Sequence, residues 1–236
     1  MTVAILMPAY NEGDRLLCTL HAVESAAAQL GGVTVFLVDD GGEPAIAACD
    51  LPVSNAQFHV VLARHAINLG QGAALETARQ LALSSGEFQA YLTMDSDGQH
   101  DVAGLRAAAE AIERGADVAL GSRFLGGSRV PRGRRALLRA AGLFEWALTG
   151  RRLGDAHNGL RAFNRRALQA IRIRHNRMAH ATEITQHVLD ASQWSVVEVP
   201  VVISYTPESL RKGQRASAAL EILQDLLSHY LFKDST

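Results

Sequence analysis

The 236-residue chain has only two cysteines, Cys18 and Cys49, and no CxxC spacing. That is too few for a disulfide framework and the wrong pattern for a structural zinc site. No apolar run approaches the ~20 residues that a membrane span needs. No basic-plus-apolar leader stands at residues 1–10, so the expectation is a cytosolic chain that does not cross a bilayer by itself. An excess of one charge is absent overall: 23 basic and 24 acidic residues give a net charge of −1. This excludes a globally basic nucleic-acid binder and an acidic disordered tail. Neither standard nucleotide-loop signature occurs. There is no G-x-x-x-x-G-K-[ST], and no G-x-G-x-x-G follows the first strand; Gly70-Gln71-Gly72 is a weaker, later pair. Lysine is scarce too, with Lys212 and Lys233 set against 21 arginines.

What is present is unevenly distributed. Between Arg123 and Arg177 stand 14 arginines and only two carboxylates, Glu145 and Asp155, a local charge of +12, while the remainder carries −13. A bias toward arginine over lysine accounts for the residue type but not for the clustering. The cluster points to a surface for phosphates or anionic lipid.

Apolar runs alternate with helical periodicity through the first 120 residues, the pattern of a parallel sheet covered by helices. Strands are expected at Val3–Met7 (stopped by Pro8), Val33–Val38, His59–Leu62, Ala90–Met94 and Asp117–Leu120. Helices are expected at Asp14–Leu30, Gly72–Ser84 and Val102–Arg114. After Gly121 the rhythm breaks into a glycine-punctuated loop and a helix at Ala136–Thr149. A strand at Gly159–Phe163 and helical segments at Arg165–Ile171 and Thr182–Ser192 follow. Next come a strand at Val196–Ile203, with Pro200 marking an edge or bulge, and a last amphipathic helix near Ala216–Phe232. With no repeat, low-complexity tract or linker, the chain reads as one α/β domain with a mostly parallel central sheet.

In an open parallel sheet, ligands bind beyond the carboxyl ends of the strands. Three polar motifs fall there: Pro8-Ala9-Tyr10-Asn11-Glu12, Asp39-Asp40-Gly41-Gly42 and Asp95-Ser96-Asp97-Gly98-Gln99. Asp95 and Asp97, one residue apart at a turn, can both face one hard cation, Mg²⁺ or Mn²⁺, and Gln99 can add an oxygen. The bland alternative is an Asx-turn that ends the strand. The histidines His100, His157, His175, His180 and His187 show no ligand spacing except His180/His187, two turns apart, and read as structural. Trp146 and Trp194 fit either the core or a membrane-facing anchor.

The motifs Pro-Ala-Tyr-Asn-Glu, Val-Asp-Asp-Gly-Gly and Asn68–Ala73 together resemble the nucleotide-sugar half of family 2 glycosyltransferases. Asp95 to His100 matches that family's D-x-D and, more narrowly, the D-x-D-x-Q-H form of the polyprenyl-phosphate subgroup that includes dolichyl-phosphate mannose synthase. Gly121-Ser122-Arg123, Asp155 to Phe163 and Val199-Pro200-Val201 are similar to the same subgroup. The resemblance implies a GT-A fold, Rossmann-like and nucleotide-sugar binding, with residues 1–121 as the donor half and 122–236 as the acceptor half.

It implies roles as well. Pro8, Tyr10 and Glu12 would line the nucleoside and sugar pocket, and Asp40 would accept from a base imide N–H of uracil or guanine. Asp95, Asp97 and Gln99 would hold the metal on the donor diphosphate, so that Asp97 serves catalysis. Arg123 would face phosphate, and Arg211 and Lys212 would belong to a basic loop closing over phosphates. Arg129, Arg132, Arg134 and Arg135 would gather an anionic acceptor. Glu183 is the candidate general base, or merely orients a neighbour, or serves at a helix start, and Asp155 is a second candidate base.

The implied activity is metal-dependent, inverting transfer of a sugar from a UDP- or GDP-linked donor to a polyprenyl phosphate. The chain would work in the cytoplasm, peripherally on the membrane face, with a separate membrane-protein partner and no nucleic acid. The final helix would then rest on the bilayer or pack on the core. Two other readings stay open: transfer to a saccharide hydroxyl in surface-polysaccharide synthesis, and a non-catalytic nucleotide-sugar-binding protein.

Overall fold

The computed structural model describes residues 1–127, 154–155, 158–176, 179–190 and 193–203. The expected helices at 136–149 and 216–232 lie outside the described residues, as do Arg129, Arg132, Arg134, Arg135, Trp146, His157, Arg211 and Lys212.

Seven strands form one sheet: β1 (Val3–Ala9), β2 (Val33–Asp39), β3 (Phe58–Arg64), β4 (Ala90–Thr93), β5 (Val118–Ser122), β6 (Arg161–Phe163) and β7 (Val196–Pro200). The helices are α1 (Asp14–Ala27), α2 (Gln71–Ser84), α3 (Val102–Glu113), α4 (Arg165–Ala170) and α5 (Ala179–Asp190). Strand order is β3-β2-β1-β4-β6-β5-β7. All pairings are parallel except those of β6, which runs antiparallel to both β4 and β5.

All seven residues of β1 are buried, because helices cover both faces of a central parallel strand. Val3, Ile5 and Met7 point to one side, into a layer with Leu16, Leu20 and Val23 of α1 and Leu105 and Ile112 of α3. Ala4 and Leu6 point to the other, against Ala74, Leu75 and Ala78 of α2, Leu168 of α4 and Ile184 of α5. The period-2 alternation of the strand thus builds two apolar layers.

The chain passes from β1 to β2 on one side and later returns to β4 on the other, so the strand order reverses between β1 and β4. That reversal opens a crevice at their carboxyl ends. Among the described residues no helix is long and apolar enough to cross a membrane.

Among the boundaries that differ from expectation, two show local reasons. Strand β1 continues through Pro8 to Ala9 rather than stopping at Met7. The Pro8 carbonyl accepts from Ser96 Oγ at 2.8 Å, so the proline's donor-less nitrogen faces the side where β4 has already ended and no ladder bond is lost. Helix α1 closes at Ala27 instead of Leu30, where the Gly32 amide folds back onto the Ala27 carbonyl at 3.0 Å. The strand expected to run to Ile203 ends at Pro200 instead, and Pro200 lies, as expected, on an edge strand, β7 beside β5.

Candidate active site

A cleft of about 560 Å³ opens at the β1/β4 reversal. The end of β1 contributes Pro8, Tyr10 and Glu12; the end of β2 contributes Asp40; the turn into α2 contributes Asn68, Gly70 and Gln71; the end of β4 contributes Asp95, Ser96 and Asp97. The three strand-end motifs therefore converge as expected, joined by a fourth segment.

Ser96 is the fixed point of the β4 turn. Its hydroxyl donates to the Pro8 carbonyl, and its own carbonyl accepts from Thr19 Oγ1 at 3.1 Å. With Ser96 held inward, Asp95 and Asp97 on either side are left partly exposed and line the cleft. Asp95 Oδ1 accepts from Gln71 Nε2 at 2.9 Å, and Asp95 Oδ2 lies 3.6 Å from the buried ring of His100. Burial pushes the Asp95 carboxyl up, but His100, with His180 and Arg161 behind it, outweighs that and brings it below its ordinary value. Asp97 goes the other way, raised first by burial and then by the charge of Asp95. Its Oδ1 accepts from the Gln99 amide at 3.0 Å, and the Gln99 side-chain nitrogen donates to its Oδ2. The Asx-turn and the inward-facing cleft therefore coexist in this loop.

A tight steric constraint on Asp95 itself comes from a distant residue. A Cβ on Gly159, just before β6, would sit 2.3 Å from Asp95 Oδ2. The antiparallel strand wedged beside β4 thus has to begin without a side chain.

The Asp39-Asp40 pair divides its work. Asp39 is buried and accepts from the amides of Gly42 (2.8 Å) and Ile46 (3.1 Å), shaping the loop after β2. Asp40 Oδ1 takes the Leu69 amide (2.9 Å) and His65 Nδ1 (2.7 Å), and Oδ2 takes the Gly70 amide (2.7 Å). His65 Nε2 then meets Thr77 Oγ1 at 2.9 Å. Of the four acceptor positions on a carboxylate, three on Asp40 are filled by the protein. At the mouth, Tyr10 is 48% exposed and Glu12 pairs with Arg15 at 2.9 Å.

The expected acceptor-side residues are brought together differently. Arg123 and Asp155 form a buried pair: Asp155 Oδ2 receives both the Arg123 amide (3.0 Å) and its Nε (2.5 Å), with Asn158 Nδ2 at 3.3 Å. Neither residue is among those lining the cleft. Glu183 lies in the second turn of α5, not at its start, which corrects the helix-start alternative. Its buried Oε2 accepts from the amides of Arg174 (2.9 Å) and His175 (3.0 Å), and Oε1 is 3.2 Å from His175 Nδ1. His180 is buried and His187 exposed, so the two do not share an environment. Among the described residues no group of three or more His, Cys, Asp or Glu is arranged around a metal position. Trp194 takes the guanidinium of Arg166 over its ring at 4.7 Å. Sequence reasoning gave Gln71, Ser96, His65 and Asn176 no role; the first of these stood inside a recognised motif, but its bond to Asp95 is a long-range contact with no local signature.

Comparison with known proteins places these features. The model of the family described as glycosyl transferase family 2 matches residues 4–172. The chain belongs to that family. It is a glycosyltransferase of GT-A fold. The polyprenol monophosphomannose synthase of Mycolicibacterium smegmatis is 28% identical over 207 residues, covering 85% of this chain and 76% of that protein. The undecaprenyl-phosphate mannosyltransferase of Micrococcus luteus is 28% identical over 176 residues, covering 72% of this chain and 70% of the relative. Among solved structures, glucosyl-3-phosphoglycerate synthase from Mycobacterium tuberculosis, in complex with Mn²⁺, uridine diphosphate and phosphoglyceric acid, superposes with a TM-score of 0.60. It is 16% identical and covers 96% of this chain and 78% of that one, a likeness of fold.

Proposed function

We propose that this glycosyltransferase moves a sugar from a nucleoside diphosphate sugar to a polyprenyl phosphate, with inversion at the anomeric carbon and with a divalent cation in the donor site. The observation that carries the reading is the β4 turn, where a buried serine leaves two carboxylates at the strand-order reversal. The donor set is oxygen-rich, as Mg²⁺ or Mn²⁺ prefers: Asp95, Asp97 and the carboxamide oxygen of Gln99, whose nitrogen is the atom spent on Asp97. Such a cation, when bound, neutralises charge growing on the departing diphosphate.

The protein's own groups do the rest. Tyr10 offers a face for the base or ribose, Pro8 walls the pocket, and Glu12 offers an acceptor to sugar hydroxyls. Asp40 keeps one acceptor position for a base imide N–H. The arginine-rich segment after Ser122, with Arg211 and Lys212, gathers the second anion. A phosphate oxygen attacks the anomeric carbon, the new C–O bond forms, and the nucleoside diphosphate leaves with the bonding pair.

The acceptor class follows from protons. A hydroxyl must lose one to a base, whereas a phosphate is already ionised. Both acidic residues considered as bases are engaged, Asp155 by Arg123 and Glu183 by two amides, which favours the phosphate. The relatives named for polyprenol and undecaprenyl phosphate support the same choice. Such an acceptor lies in a membrane; we further propose that the chain works peripherally on the cytoplasmic face, beside a membrane-protein partner.

The test is incubation with Mn²⁺ or Mg²⁺, radiolabelled UDP- and GDP-sugars, and either undecaprenyl phosphate or a saccharide panel. A lipid-linked, acid-labile product is expected. Label appearing only on saccharides, or nucleotide binding without any turnover, would overturn the reading.

A further inference from the structure

The segment 171–176, between α4 and α5, lies outside the cleft yet is bound to its floor. Ile171 and Ile173 are buried in the α2-side apolar layer, while Arg172, Arg174, His175 and Asn176 face outward. The segment makes no ladder with a strand. Its backbone amides are taken instead by side chains from two helices. Glu76 of α2 accepts from Ile173 at 3.1 Å, and Glu183 of α5 accepts from both Arg174 and His175.

The far end of this segment caps α2. Helix α2 has no side-chain cap of its own: its flanking residue is Gly70, at φ 99. Asn176 supplies the acceptor from 103 positions away, taking the Ala73 amide at 3.0 Å. The fit leaves no space, since a Cβ on Gly72 would lie 1.9 Å from the His175 carbonyl oxygen and one on Gly70 2.8 Å from Asn176 Cγ. The glycine pair that looked like a weak phosphate loop is thus also demanded by this approach. On the cleft side, the same turn presents Gln71 to Asp95 and gives its Leu69 and Gly70 amides to Asp40.

We infer that Glu183 and Asn176 are positioning residues of the donor site. Glu183 fixes the backbone of 174–175, Asn176 carries that placement to the start of α2, and Gln71 transmits it to Asp95. The start of α2 is held from one side by Asp40 and from the other by this segment, so loosening either changes how the donor pocket is set. This assignment rests on the proposed donor site, and it gives Glu183 a task other than proton abstraction.

The experiment compares Asn176→Ala, Glu183→Ala and Glu183→Gln in the full chain by two readouts. Hydrogen exchange at the Ala73 amide should speed up about tenfold in both alanine variants, on the scale of a lost helix cap, with or without nucleotide. Affinity for UDP or GDP in Mn²⁺, whichever the wild type binds, should fall by a similar factor. Glu183→Gln retains an oxygen for the two amides and should stay within about threefold of wild type on both. Asn176 is exposed, so its variant tests the link even if Glu183→Ala fails to fold. Unchanged exchange at Ala73 in the alanine variants would overturn the inference. So would loss of turnover in Glu183→Gln with nucleotide affinity and exchange intact, the signature of a base. If the wild type binds neither nucleotide, the donor reading fails, while exchange at Ala73 still decides whether the segment holds α2.

Discussion

Carboxylates at the strand-order reversal and carboxylates in the second half of the chain have opposite circumstances. Asp95 and Asp97 are partly exposed, close in sequence and shifted in opposite pKa directions: burial pushes both up, but His100, His180 and Arg161 outweigh it at Asp95, while the charge of Asp95 adds to it at Asp97. Asp155 and Glu183 are buried, and each holds a guanidinium or backbone amides. Of the first two, Asp97, with its carboxyl raised, costs the isolated protein stability, whereas Asp95, with its carboxyl lowered, does not; Asp155 and Glu183 hold the fold together. Acidity in a family motif is therefore not one property, and the hydrogen bonds around each group say which kind it is.

The sharpest way to break this contrast is Asp97→Ala. If the proposed cation is bound there, turnover should drop about a thousandfold, the several kcal/mol expected for loss of a ligand to a catalytic cation. The metal-free melting temperature should stay level or rise. The sign follows from Asp97: its folded pKa is raised, so its ionised form destabilises the folded state at neutral pH, and deleting the charge relieves that. Thermal unfolding in chelator, beside the transfer assay, checks both halves. A large drop in chelator would mean that Asp97 belongs with the structural acids.

Arg123→Met attacks the opposite member of the comparison. It strands Asp155 in a buried position where Oδ1 already has no hydrogen-bond partner among the described residues. Breaking a buried pair on one side costs about 3–5 kcal/mol, read as a lower denaturation midpoint at unchanged slope. Arg123→Met with Asp155→Leu should recover much of that loss, because no uncompensated charge is left behind. Recovery of stability without recovery of transfer would reserve a second, phosphate-facing task for Arg123.

Gly159→Ala sits between the two classes, since it deletes no functional group. The added carbon cannot occupy a position 2.3 Å from Asp95 Oδ2, so either the carboxylate or the entry to β6 must move. Overpacking of this kind costs about 1–3 kcal/mol. Affinity for Mn²⁺–nucleotide should weaken more than stability if Asp95 is what yields, and calorimetry beside thermal unfolding separates the outcomes.

Much of the donor half is legible in the sequence, because its signals are local. Period-2 and period-3.6 patterns place β1 to β5 and α1 to α3 within a few residues, and parallel topology puts Tyr10, Asp40 and Asp95 at one end of the sheet. What stays hidden depends on contacts between residues far apart. Nothing near Glu183 says that its partners are amides at 174 and 175, and nothing near Gly72 says that a carbonyl at 175 crosses it. The antiparallel insertion of β6 is equally silent, since a three-residue strand carries no directional pattern. The resemblance assigned roles by position in a motif; it could not say which acids are already satisfied.

Asp117 gives the smallest effect and the cleanest sign. At the start of β5 it accepts from the Ser195 amide (2.9 Å), Asn164 Nδ2 (2.6 Å) and Arg166 (3.4 Å), joining β5, the entry to β7 and the start of α4. The Ser195 amide is the largest influence, and together with Asn164 and Arg166 it holds the carboxyl below its ordinary value. A depressed folded pKa means that the stabilisation is fully present above the unfolded value of about 3.9 and is lost as pH falls through the folded value. Asp117→Asn keeps an acceptor oxygen but loses the charge, so it should cost about 1 kcal/mol at pH 7. That deficit should begin to shrink as pH falls below about 4, where the unfolded carboxyl protonates, and vanish only below the lower folded value, where the native carboxyl is protonated too. A deficit that stayed constant from pH 7 to pH 3 would show that geometry, not charge, does the joining, and would place Asp117 outside the set of structural acids that Asp155 and Glu183 define.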